Sequence, residues 1–454
     1  MLRATKLMRL AACVIAGVLM AACVAQAGDR PPNVLFLFTD DQRADTIHAM
    51  GNPAIRTPNL DALARSGMVF RNAYCMGGDV GAVCLPSRTM LLSGRSLFRL
   101  KGIGPDSPTW PKAMRELGYH TYHHGKRGNT PQQIQQAFQT NKYLKDDQQE
   151  RNSGLPGKQI ADEAIAHLKS HPKDNPFFMY LAFGNPHDPR VVNEEYRRQY
   201  NDSRIPLPAN YLPFHPFNNG ELTIRDEALL PWPRTPEAVR KELGDYYGVI
   251  TYLDMQIGRI LQALKECGEA ERTIILFSSD QGLAMGGHGL MGKQNLYEDG
   301  MNVPLIIAGP GIPQGESRAL VYLLDLFPTV SELVGAKAPE ELDGRSFGAV
   351  VRGEKTDHRE SIFLAYRHVQ RAVRAGDWKL IRYPRIHRSQ LFDLKNDPFE
   401  KEDLSANPAQ SDRIERLMTL MREQQRIWGD DLPLTSAVPE PSEYDPEKLR
   451  GAGE

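Results

Sequence analysis

Continuous apolar, β-favouring runs recur at residues 34–38, 177–183, 273–277 and 303–308, with a shorter run at 119–122. Unbroken runs of this kind predict strands covered on both faces, the pattern of a parallel sheet. Between them lie segments with readable helix ends. One opens at Thr57-Pro58 and stops at Gly67, with a capping residue, a proline in the first turn and a glycine beyond the end. Others cover about 109–117, 236–267 and 322–333, the last despite Pro328. The alternation predicts a layered α/β sandwich with a large, mostly parallel central sheet flanked by helices.

After about Gly353 the pattern changes to short strand-like pieces at 361–366, 370–374, 378–382 and 391–394, followed by a helix over about 410–428. This predicts a smaller C-terminal α+β subdomain with a short antiparallel sheet and an extended tail. The stretch 201–236 fits neither pattern. It is rich in proline and carries Tyr211, His215, Arg225, Trp232 and Arg234. An irregular segment of this length in a compact domain is expected to be a lid or wall of a functional site, the alternative being a surface insertion.

Composition narrows the classes. The 454 residues carry 55 Lys plus Arg against 56 Asp plus Glu, so no global field recruits nucleic acid or an anionic membrane. Five cysteines exclude a disulfide scaffold. Arg3, Lys6 and Arg9 precede an apolar run at 10–20 that ends in Ala25-Gln26-Ala27, the layout of a signal peptide. The expected division is a signal peptide at 1–27, a catalytic domain at 28–353 and the C-terminal subdomain at 354–454. The protein is therefore expected to be exported, periplasmic or secreted, with no transmembrane segment in the mature chain. Cleavage before Cys23, giving a lipoprotein anchored there, and a retained anchor are the alternatives. The mature chain keeps Cys75, Cys84 and Cys267.

The reactive residues fall at strand ends. Run 34–38 leads into Asp40-Asp41, run 273–277 into Asp280-Gln281, run 177–183 into His187-Asp188, and run 119–122 into His123, His124 and Lys126. Ligands of open α/β sheets bind at the carboxyl edge of the strands. Asp40, Asp41 and Asp280 together require a compensating cation. With the amide oxygen of Gln281 they form an oxygen set suited to Ca²⁺ ahead of Mg²⁺. Cys84, in Cys84-Leu85-Pro86-Ser87-Arg88, is placed at a helix N-terminus, with Arg88 one turn on over the same face. Read alone, this is an activated cysteine, an anion site or a buried structural thiol.

The segment 84–95, C-x-P-S-R followed by L-L-x-G-R, resembles the signature of the type I sulfatases of the alkaline-phosphatase-like superfamily. Further elements agree: Asp40-Asp41, Gly125-Lys126, Asn185-Pro186-His187, Ser279 to Gly282, Gly287-His288-Gly289, Gly292-Lys293, Tyr297-Glu298 and Leu391 to Leu394. The likeness spans about residues 31–405. It implies an alkaline-phosphatase-like sandwich and modification of Cys84 to formylglycine (3-oxoalanine) by a formylglycine-generating enzyme. It also implies a divalent ion on Asp40, Asp41, Asp280, Gln281 and the modified Cys84. Lys126, Lys293 and His187 would bind the sulfate ester, with His187 as general acid, and Arg88 would flank the nucleophile; His288 could lie near the sulfate or be structural. The expected reaction is hydrolysis of sulfate esters, on a sulfated saccharide. A phosphate or phosphonate ester hydrolase of the same superfamily, or a non-catalytic glycan-binding relative, is the alternative. Two departures stand out. Gln281 replaces the usual Asn or His, and Gly128 and Asn129 stand where a histidine follows the lysine.

Overall fold

A computed structural model describes residues 30–144 and 146–449. The expected signal peptide, with Cys13 and Cys23, lies outside them. Among the described residues no helix is long and apolar enough to cross a membrane.

The large sheet contains β1 (Asn33–Asp40), β2 (Met68–Tyr74), β4 (His120–Gly125), β5 (Thr140–Tyr143), β6 (Phe177–Pro186), β7 (Thr273–Ser279), β8 (Asn302–Ala308), β9 (Gly315–Ser317) and β10 (Val321–Tyr322). Its order is β10-β2-β8-β7-β1-β6-β4-β5, with β9 paired to β2. Every residue of β1 is buried, as its unbroken apolar run requires. The four strands whose ends carry the reactive residues, β7, β1, β6 and β4, are consecutive neighbours and mutually parallel. In register, Thr39 lies beside Ser279, Asp40 beside Pro186, and Gly125 beside Ala182. The carboxyl ends of all four strands therefore open on one edge.

Helices cover both faces. The long helix Pro236–Glu266 places Leu253, Ile257, Ile260 and Leu264 against Leu35, Leu37 and Leu181. On the other face the buried ring of Trp110 stacks on Phe178 at 5.0 Å between centroids. Two expectations are corrected. β8 runs antiparallel to both β7 and β2, because burial on both faces does not depend on strand direction. Tyr322 belongs to β10, and the expected helix begins only at Leu326 after a 3₁₀ turn.

The second sheet is antiparallel over β11 (Ser361–Tyr366), β12 (Gln370–Ala375), β13 (Trp378–Tyr383) and β14 (Arg388–Asp393), backed by the helix Ser411–Trp428. A two-residue strand, β3 (Gly77–Gly78), joins its edge parallel to β11. Gly77 has φ +106°, and a Cβ there would meet the Ala365 carbonyl oxygen at 2.0 Å, so only glycine fits this junction. The second sheet is thereby tied to the loop that leads into Cys84.

Candidate active site

Asp40 ends β1, and Asp41 turns away from it at φ +66°, a conformation aspartate tolerates better than most residues. The Tyr246 hydroxyl donates to the Asp41 carbonyl at 2.7 Å, and the Asp41 N–H donates to Asp280 Oδ1 at 3.0 Å, which fixes the turn. Cys84 is the first residue of the helix Cys84–Ser93, which stops at Gly94 in the left-handed region. Its Sγ lies 3.4 Å from Asp40 Oδ1, 3.6 Å from Asp41 Oδ1 and 3.0 Å from Lys293 Nζ.

Arg88, one turn along, donates through Nε to Asp280 Oδ2 at 2.8 Å and through an Nη to Asp40 Oδ2 at 3.2 Å. Lys126 Nζ and Asn129 Nδ2 reach the same Asp40 oxygen at 2.9 and 3.0 Å. Lys293 Nζ holds Asp41 at 2.6 and 2.7 Å. His187 faces Asp41 through Nε2 at 3.7 Å, while its Nδ1 lies 2.8 Å from the Asp188 carbonyl oxygen.

One ligand atom each from Asp40, Asp41, Cys84 and Asp280 lies within 4.8 Å of all the others, and all four residues are buried. Burial opposes the Asp40 charge, but Lys126 and Arg88 together hold its carboxyl well below the usual range. For Asp41, burial outweighs Lys293 and pushes the carboxyl up to about 6. Burial also raises Asp280, with Asp40 adding repulsion. Two of the three acids are thus undercompensated by the cations present. A hard divalent ion fits such a set of oxygens. Burial, Asp280 and Asp40 also push the Cys84 thiol well up, so an unmodified Sγ is a poor nucleophile here.

The cluster opens into a cleft of about 490 Å³ lined by Cys84, Leu85, Lys126, Asn129, His187 and Lys293, together with Ile224, Arg225, Asp226 and Gln294. The proline-rich segment therefore supplies one wall. It is braced from behind by buried Glu227, which accepts from the N–H groups of Met291 and Gly292 at 2.9 and 2.8 Å and from Arg234 at 2.8 Å.

Cys84, Arg88, Asp40, Asp41, Asp280, Lys126, Lys293 and His187 all converge. Two expected site residues are placed otherwise. Gln281 Oε1 accepts from the Cys75 thiol at 3.0 Å and its Nε2 donates to the Val83 carbonyl at 3.3 Å, so its amide steadies the start of the Cys84 helix. The His288 ring stacks on Tyr297 at 3.7 Å between centroids and does not line the cleft. Its flanking glycines give the loop no fixed direction in sequence. His123 and His124 lie inside β4 rather than beyond it, and His123 is held by Asn141 and Gln135. Asp226 and Gln294 were not foreseen. The only sequence signal for them is adjacency, Gln294 to Lys293 and Asp226 to Arg225.

The carboxyl-edge cleft thus combines buried acids that can hold a metal ion with two lysines and a histidine that can meet an oxyanion. Residues 32–336 match the sulfatase family, and 286–427 match the family described as N-sulphoglucosamine sulphohydrolase, C-terminal. The chain belongs to the sulfatase family, and it is a sulfatase enzyme. It is 26% identical to an N-acetylglucosamine-6-O-sulfatase of Bacteroides thetaiotaomicron, over 92% of this chain and 91% of the relative. It is also 26% identical to an ulvan-active sulfatase of Formosa agariphila, over 88% of this chain and 81% of the relative. A solved protein in complex with its substrate D-glucosamine-2-N,6-O-disulfate superposes with TM-score 0.74 at 24% identity, covering 89% of this chain and 99% of the other. The phosphonate monoester hydrolase of Agrobacterium radiobacter shares the fold at TM-score 0.72 and 24% identity, covering 87% and 96%.

Proposed function

We propose that the chain hydrolyses sulfate esters of a sulfated saccharide in this cleft, with Cys84 converted to formylglycine by a formylglycine-generating enzyme. The reading includes Ca²⁺ ahead of Mg²⁺, held by Asp40, Asp41, Asp280 and the side chain at position 84. It also includes export after removal of 1–27, chemistry carried by 28–353, and a C-terminal subdomain at 354–454. The observation that carries it is the convergence of Cys84 with three buried carboxylates and Lys293 at the mouth of a cleft.

Bound there, the divalent ion would supply Lewis acidity to a sulfate oxygen. Formylglycine would supply an aldehyde whose hydrate is a self-regenerating nucleophile. The chain's own groups do the rest. Lys126 and Lys293 line the cleft and offer ammonium groups to the spread charge of the sulfuryl oxygens. Arg88 is fully buried behind them and holds Asp40 and Asp280 in place.

His187 donates from Nδ1 to the Asp188 carbonyl, which fixes the tautomer and leaves Nε2 toward the cleft. Burial and Lys293 push its imidazolium down to about 4. With a sulfate ester docked in the cleft, Nε2 is the atom placed to protonate the departing sugar oxygen.

His187→Ala is expected to lower kcat on a sugar sulfate by about 10²–10⁴-fold and to cost far less on an aryl sulfate, whose phenolate leaves without a full proton. Equal losses on both would remove His187 as the acid. A second reading, phosphonate or phosphate ester hydrolysis, draws support from the fold shared with the phosphonate monoester hydrolase. Parallel assays of aryl sulfate, phosphate and phosphonate esters separate the two. The proposal expects the highest kcat/KM on sulfate, and a preference for phosphonate would overturn it.

A further inference from the structure

Charge is distributed unevenly between the floor and the outer wall of the cleft. At the floor Asp40, Asp41 and Asp280 face Arg88, Lys126 and Lys293. A divalent ion added to these three acids and three cations leaves the floor with a net positive formal charge, which suits one sulfate. The outer wall carries a carboxylate of its own. Arg225, although exposed, is already claimed by two carboxylates: it pairs with both oxygens of Asp188, its Nη1 donating at 2.7 Å, and the same Nη1 donates to Asp226 Oδ1 at 3.0 Å. Arg225 is thus held by two carboxylates, of which Asp226 is the one that lines the cleft.

Asp226 is the one carboxylate among the described residues lining the cleft. It is buried, and its second oxygen accepts from Gln294 Nε2 at 2.8 Å. Gln294 is fixed in turn, donating to the Gly81 carbonyl at 3.0 Å and accepting from the Lys293 N–H at 3.1 Å. Each Asp226 oxygen therefore has one partner in the protein and retains capacity to accept from a ligand hydroxyl. Leu85 and Ile224 also line the cleft and offer apolar surface to the face of a sugar ring.

We infer that Asp226, braced by Gln294 and Arg225, is a specificity-determining residue that takes hydroxyl groups of the sulfated sugar, so that the substrate class is a monosulfated neutral sugar. A second acid placed beside Asp226 would meet that carboxylate and an arginine already paired. This rests on the sulfatase reading of the cleft.

The test uses the full, natively matured chain with three kinds of substrate. These are neutral monosaccharides monosulfated at each ring position in turn, D-glucosamine-2-N,6-O-disulfate, and 4-nitrophenyl sulfate, which has no sugar hydroxyls. The wild type is expected to have a higher kcat/KM on at least one monosulfated neutral sugar than on the disulfate. Asp226→Asn is expected to lose about 10–100-fold in kcat/KM on that sugar, as for a lost hydrogen bond to a charged group, with a fall at least tenfold smaller on the aryl sulfate. It should also shift the ratio of disulfate to monosulfate turnover upward. Parallel falls on sugar and aryl sulfate would overturn the inference, as would a wild type that prefers the disulfate or cleaves the aryl sulfate but no neutral sugar sulfate. A wild type inactive on every sulfate ester would instead overturn the sulfatase reading itself. The wild-type preference needs no variant, so a poorly folding Asp226→Asn leaves the inference open to refutation.

Discussion

Cys84→Ala is expected to lower kcat on an aryl sulfate by about 10⁴–10⁶-fold, the scale seen when a catalytic nucleophile is removed. The fold should survive. Cys84 is the first residue of its helix, and its thiol sits in a polar cluster rather than in the apolar core. Truncating it fills no space and breaks no backbone bond, so unfolding stability is expected to stay within about 1 kcal/mol of the wild type. Cys267→Ala is the matched control. Its thiol lies 3.6 Å from the Leu168 carbonyl, behind the sheet, and its loss should leave turnover intact. Near-native activity in Cys84→Ala, measured against that control, would remove position 84 as the source of the nucleophile.

Asp280→Asn is the second large effect. The amide keeps the size of the side chain, and its single oxygen keeps one of the two bonds that Arg88 Nε and the Asp41 N–H make to different carboxylate oxygens. What it loses is a formal charge in a site with three buried carboxylates. Bound divalent metal, measured by elemental analysis of the purified protein, should fall from about one equivalent toward none, because affinity rests on charge count as well as geometry. Activity should fall with it. Asp280→Ala is a less clean test, because it leaves the buried Arg88 short of a partner and is expected to cost about 3–5 kcal/mol of stability. An active wild type free of divalent metal would contradict the metal assignment.

The parts of this site that were legible in sequence are those set by the sheet. Residues 34–38 and 273–277 are unbroken apolar runs, and a strand that ends in Asp-Asp or Ser-Asp must present those acids at its edge. That four such edges would coincide followed from all four strands running the same way, which the order β7-β1-β6-β4 bears out. Other features left no such trace. The strand Met68–Tyr74 is broken in pattern by Arg71-Asn72, which are only half-buried, and the helix Lys158–Ser170 buries a narrow apolar face among many charges. Neither gives the unbroken run that marked the others.

The outer wall was the least legible part. Asp226 and Gln294 meet across 68 positions of chain, each in an irregular stretch, one before the helix Pro236–Glu266 and the other after β7. No periodicity encodes that contact; prolines and the buried Glu227–Arg234 pair fix it instead. The gap after Lys126 was visible as a missing histidine, and the structure adds what fills it: Asn129 donates to Asp40 and lines the cleft. An amide can orient a hydroxyl there but cannot take its proton at neutral pH.

The central claim is that Cys84 works only after conversion. The most direct measurement is the mass of the peptide spanning Cys84, isolated from natively produced protein that is turning over a sulfate ester. The account predicts the mass of the aldehyde, or of its hydrate, in proportion to the active fraction. Fully active protein in which that peptide carries only an unmodified cysteine would contradict it.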